Sequence, residues 1–98
     1  MEKFSLVISS MAEADLADSY TWYETRREGL GHQFLASVDT ALESIHDNPN
    51  IYPIMYRDMR RALLHRFPYA VFYLVHERRI TVIAVLHCRQ SQAHLNNR

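Results

Sequence analysis

The sequence predicts an α+β fold: a helical hairpin packed on one face of a small, mainly antiparallel four-stranded sheet. Three observations predict it. Two stretches, about 10–28 and about 31–47, carry apolar residues at helical spacing. Three strand-like runs, about 58–66, 69–77 and 79–87, then follow with no helix between them. A short run, "FSLVIS" at 4–9, precedes the helices, so the order is β-α-α-β-β-β.

Each element has its local signal. Ser10 with Glu13 three residues on reads as a capping box and opens the first helix. Ala12, Leu16, Tyr20 and Tyr23 form its apolar stripe, at offsets of four, four and three. Arg26 and Arg27 suit the negative end of the helix dipole, and Gly29 ends the helix. Leu35, Val38, Leu42 and Ile45 mark the second helix. "NPNIYP" at 48–53 stops it, because neither Pro49 nor Pro53 can continue a helical ladder. "HERRI" is a tight polar link between the last two strands, and the tail "SQAHLNNR" is a short helical turn or frayed.

The strands raise a question of cover. In "HRFPYAVFYLV" at 65–75, Val71, Phe72, Tyr73, Leu74 and Val75 are apolar or aromatic on both sides of the pleat. In "ITVIAVLH" at 80–87, strict alternation points Ile80, Val82, Ala84 and Leu86 one way and Ile83 and Val85 the other. Two helices cover one face of such a sheet, so the second face is expected to bind another chain.

The chain has 98 residues, 48% of them hydrophobic, with two glycines and three prolines, and reads as one globular domain over 1–98. One cysteine, Cys88, rules out an internal disulfide framework and fits a reducing cytoplasm. No run is long and apolar enough for a membrane span, so a soluble cytoplasmic protein is expected. The net charge of zero hides a division. Residues 1–50 hold nine acids against Lys3, Arg26 and Arg27; residues 51–98 hold two acids against eight arginines. The halves therefore carry −6 and +6, and the second fits a partner rich in carboxylate or phosphate.

Taken together, the element order, "GLG" between the helices, "NPNIYP", "RRALLHRFPYAVFYLV" and a last strand ending "VLHCRQ" resemble the RelE/ParE superfamily of bacterial type II toxins. The likeness runs from about Phe4 to about Gln90 and is closest to the ParE-like branch, often labelled plasmid stabilisation proteins. It implies a toxin neutralised by a cognate antitoxin whose acidic C-terminal segment wraps it. Leu63, Arg66, Phe72 and Leu74 are the expected antitoxin-binding residues. When free, the same apolar surface also fits a second copy of the chain.

The two branches differ in action. The RelE-like branch resembles a ribosome-dependent ribonuclease, whose 2′-hydroxyl chemistry needs a base or its substitute, a donor to the leaving oxygen and cations on the phosphate. Laid on that pattern, Arg61 takes the first second-strand basic position, while the next falls on Leu63 and the residue after Tyr69 is Ala70. Arg89 fits the last arginine with its spacing one residue loose, and the expected C-terminal tyrosine has no counterpart after Tyr73. These losses favour the ParE-like branch, whose members include DNA gyrase poisons that act through contacts. Arg61, His65, His87 and Arg89 are the catalytic set if the chain is a ribonuclease acting on ribosome-bound mRNA, and target-recognition residues otherwise. A decayed toxin kept as an antitoxin-binding module is the third reading.

No cofactor is expected. His65, His87, Cys88 and His94 lack zinc-site spacing, and His87 and Cys88, as strand neighbours, point to opposite faces, so no metal is expected either. Of Arg60 and Arg61, one faces the groove and the other is expected to pair with a helix acid such as Asp15 or Asp18. Trp22 is read as core or groove wall; if exposed, it marks an interface hot spot.

Overall fold

The computed structural model describes residues 3–90 and 93–98, so Ser91 and Gln92 of the predicted tail lie outside the described residues. Its elements are β1 (Ser5–Ile8), α1 (Ser10–Arg26), α2 (Leu30–Asp47), β2 (Ile54–Tyr56), β3 (Met59–Leu63), β4 (Tyr69–His76), β5 (Arg79–His87) and α3 (Ala93–Asn96). The sheet has five strands in the order β1-β5-β4-β3-β2. β1 runs parallel to β5 and all other neighbours are antiparallel. The expected four strands become five because β2, only three residues between Pro53 and Arg57, is too short to display an alternation.

Helix starts follow from local chemistry. Ser9, one residue before the expected cap, is in extended conformation and its Oγ accepts from the Ala12 N–H. Between the helices Gly29 takes φ +89°, a conformation that favours glycine. Glu24 then closes the start of α2, its carboxylate accepting from the N–H groups of Gly29 and Gly31 at 2.9 Å each. The Gly29 bond is the main reason its pKa lies below the ordinary value. A Cβ at Gly31 would meet the Tyr20 ring and carbonyl at 2.8 Å, so this glycine sets how closely the helices approach.

The expected stripes turn inward. Ala12, Val38 and Ile45 are buried, with Leu16, Tyr23, Leu35 and Leu42 packed around them. Phe34, which the α2 stripe leaves out, is fully buried and stacks on Tyr23 at 5.3 Å. Full burial of a side chain this large contributes about 1.5–3 kcal/mol. On the sheet side the core takes Ala62, Leu64, Tyr69, Val71, Tyr73, Ile80, Val82 and Val85.

That last residue corrects the expected alternation. Phe72 pairs with Ala84 and Tyr73 with Val82, leaving Ile83 as an extra residue in β5. Such a bulge exchanges faces for everything beyond it. Val85 therefore joins Ile80 and Val82 beneath the helices, and Ala84 and Leu86 turn to the opposite face.

The bulge lies where β5 loses its neighbour. β1 pairs only with Arg79–Val82, after which the chain leaves for α1. Side chains close the bare edge. Asp15 Oδ2 accepts from the Val85 N–H at 3.0 Å, and the Ile83 carbonyl accepts from Ser9 Oγ and Arg98 Nη1. Arg98 also grips Asp15 in two hydrogen bonds, Nη1 to Oδ2 at 2.8 Å and Nη2 to Oδ1 at 3.0 Å. The expected partnership of Asp15 with Arg60 or Arg61 is therefore not formed, since Asp15 lies over β5, two strands from β3.

Arg60 instead donates to the carbonyls of Asn50 and Tyr52, and the buried Tyr73 hydroxyl donates to the Pro49 carbonyl at 2.7 Å. The irregular 48–53 segment is thus held by side chains from the sheet.

Two outcomes are expected. Asp15→Ala leaves both the mostly buried Arg98 and the Val85 N–H without their carboxylate, and lowers unfolding free energy in urea by about 3–5 kcal/mol. Arg98→Ala in that background costs far less than Arg98→Ala alone. Burial pushes the Tyr73 pKa up to about 12, with Arg60 acting the other way. The unfolded phenol ionises near 10. The stability gained from a neutral Tyr73 is thus complete below about pH 10 and is lost as pH rises towards 12. Tyr73→Phe costs about 1–3 kcal/mol at neutral pH and makes the alkaline loss shallower, measured by denaturation across pH 9–12.

Candidate functional site

The sheet face away from the hairpin is built from alternate residues of three strands. In the observed register Arg61 lies beside Phe72 and Phe72 beside Ala84; Leu63 lies beside Ala70 and Ala70 beside Leu86. This face is partly covered by the chain itself. α3 drops Leu95 onto Met59, Ala84 and Leu86, and the Tyr56 hydroxyl donates to Asn96 Oδ1. Phe72 and Leu74, expected to await another chain, are half-buried against this second cluster. The expectation of an unshielded face is corrected accordingly. A lone leucine in a polar tail is the signal that could have located this cover.

Beside α3 a cleft of about 140 Å³ remains, lined by Met55, Tyr56, Arg61, Phe72, His87 and Leu95 among others. Arg61 Nε is buried there with no hydrogen-bond acceptor among the described residues. Towards the β2 edge the face stays open: Leu63 is 55% exposed and Met55 is 42% exposed. An arginine short of an acceptor, next to exposed aliphatic side chains, suits an extended or helical segment carrying both carboxylates and apolar groups.

The other predicted residues fall elsewhere. His65 and Arg66 lie in the loop after β3, which Ser37 ties to α2 by donating to the His65 carbonyl at 2.7 Å. They border a groove with Gln33, Thr40 and Phe67, and Arg66 takes φ +72°. His87, at the end of β5, meets the Tyr69 ring edge-on at 5.2 Å. Its backbone N–H donates to Gln90 Oε1, and its Nδ1 accepts from the Arg89 N–H at 3.0 Å. An accepting Nδ1 places the ring proton on Nε2. Arg89 itself is exposed in the turn after β5. Arg61 and His87 therefore border one cleft, while His65 and Arg66 open onto another.

Among the described residues, no three of His, Cys, Asp and Glu gather as metal ligands, and no helix is long and apolar enough to cross a membrane. Trp22, read as core or groove wall, is 49% exposed on α1.

Comparison with the curated proteins gives no match. Among solved structures, a chain of the "Chromosomal ParDE TA system from P. aeruginosa" superposes with a TM-score of 0.78 at 18% identity, covering 87% of this chain and 96% of that one. At that identity the likeness establishes the fold. The family described as "ParE toxin of type II toxin-antitoxin system, parDE" matches residues 6–92, from within β1 through the end of β5. With that match spanning most of its length, the chain belongs to the ParE toxin family of type II toxin–antitoxin systems.

Proposed function

We propose that this chain is a growth-arresting toxin held in check by a cognate antitoxin, whose acidic, partly apolar C-terminal segment covers the sheet face beside α3. It acts in the cytoplasm by binding a host target, and poisoning of DNA gyrase is the preferred mode. The observation that carries the antitoxin surface is Arg61. Its guanidinium lines the cleft beside α3, its Nε lacks an acceptor among the described residues, and the exposed Leu63 and Met55 flank it towards the β2 edge. A carboxylate entering the cleft meets the guanidinium that lines it, while the apolar neighbours supply buried area.

Binding rather than catalysis is supported by dispersal. Strand scission by a 2′-hydroxyl needs its acid, base and cations within hydrogen-bond reach of one phosphate. Here His65 borders a different groove from Arg61 and His87, and His87 Nδ1 is committed to the Arg89 N–H. Recognition residues can be spread in this way; a catalytic set cannot.

Induced expression in a bacterial host, with and without the antitoxin encoded beside the gene, tests the reading. Stalled replication with gyrase-dependent DNA breaks is the expected result, and coexpression of the antitoxin restores growth. Rapid loss of full-length message with cuts inside codons would instead identify a ribosome-dependent endoribonuclease. Normal growth without the antitoxin identifies a decayed toxin.

Leu63→Asp weakens antitoxin capture by about tenfold or more in a direct titration, and leaves the urea midpoint of the free chain unchanged. Phe72→Asp lowers that midpoint as well, since its ring belongs to the chain's own second cluster.

A further inference from the structure

The outer flank of α1 presents a surface of opposite character. Trp22, the only tryptophan, is about half exposed despite its size. Its position is set on two sides: the Arg26 guanidinium lies 3.5 Å from the ring centroid, and Tyr23 meets it edge-on at 5.0 Å. From Tyr23 the aromatic series continues to Tyr69 at 5.9 Å and on to His87 at 5.2 Å. These four rings, with Asp18, Ser19 and Gln90, enclose an open cleft of about 430 Å³ between α1 and the end of β5.

The charges of this cleft differ from those around Arg61. Asp18 sits one turn before Trp22, is exposed, and makes no ion pair among the described residues. Asp15, by contrast, is committed to Arg98. His87 Nδ1 is taken by the Arg89 N–H. Aromatic faces beside a free carboxylate attract a cation, and Arg26 already uses the indole in this way. The acidic N-terminal half that carries α1 repels the acidic segment proposed for the other face.

We propose that the cleft walled by Trp22, Tyr23, Tyr69 and Asp18 receives a cationic side chain, an arginine or lysine, from the host target; it adjoins the Arg61 cleft at His87 and Gln90 and opens on the α1 side of them. The assignment to the target rests on the toxin reading above; the cation preference rests on the cleft alone. The toxin thus meets its two partners through adjoining clefts, one lined by Arg61 and the other by Asp18.

Two measurements on the full chain test this. Trp22 is its own reporter, so fluorescence is titrated with a short acetylated and amidated arginine peptide and with its glutamate counterpart. A saturable change with the arginine peptide only is expected, weakened about fivefold or more in Asp18→Asn. An equal response to both peptides, or none to either, overturns the cation site.

In the second measurement, Trp22→Ala, Trp22→Phe and Asp18→Asn are expressed in the host, with folding checked by circular dichroism. Trp22→Ala and Asp18→Asn are expected to relieve growth arrest while antitoxin capture stays at the wild-type level, and Trp22→Phe to retain most of the arrest. Should Trp22→Ala not fold, Asp18→Asn decides alone. Full arrest by Asp18→Asn, or loss of its antitoxin capture, overturns the two-surface assignment. If the wild-type chain causes no arrest, the toxin reading fails, and the peptide titration still decides the chemistry of the cleft.

Discussion

The structure depends on one constraint: β5 has a strand on its outer side for only half its length. β1 pairs with Arg79–Val82 and then gives way to α1, so the remaining edge must find other partners. A bare edge invites pairing with foreign strands. Here the N–H of Val85 and the carbonyl of Ile83 are taken by Asp15, Ser9 and Arg98, and the N–H of His87 by Gln90. That closure fixes α1 against β5. The bulge at Ile83 lies within the same stretch, and it puts Ala84 and Leu86 on the face where α3 can cover them.

From this arrangement follows a molecule with two dissimilar surfaces. One is a sheet face partly covered by Leu95 and otherwise open, with Arg61 and aliphatic side chains on it. The other is an aromatic cleft on the flank of α1, edged by Asp18. Membership of the ParE toxin family gives such a division a use, because a toxin must be recognised both by what restrains it and by what it harms.

Periodic signals were legible in the sequence, and tertiary ones were not. The helical stripes, the stop at "NPNIYP" and the tight link after His76 all depend on residues near one another along the chain, and the structure places them as expected. The faces of β5 were misread because a bulge leaves no mark in an apolar run: "VIAV" alternates equally well with or without an extra residue. Asp15 looked available to Arg60 or Arg61 because nothing local reveals that β5, not β3, lies beneath α1. The cover from α3 was missed for a related reason. Four residues carry too little periodicity to announce a helix, and Leu95 acquires meaning only when Met59 and Leu86 are seen below it. The candidate site was read less well than the fold, since its residues were chosen by type and position while their grouping depends on which loop docks on which helix.

The Asp15–Arg98 clasp joins groups 83 positions apart. During synthesis α1 leaves the ribosome long before either the strand it lies on or the arginine that locks it there. Until β5 emerges the hairpin has no sheet beneath it, and until Arg98 follows, Asp15 lacks the guanidinium that holds it. The fold is therefore incomplete for most of its translation, and α1 is fixed to its strand only once both have been made.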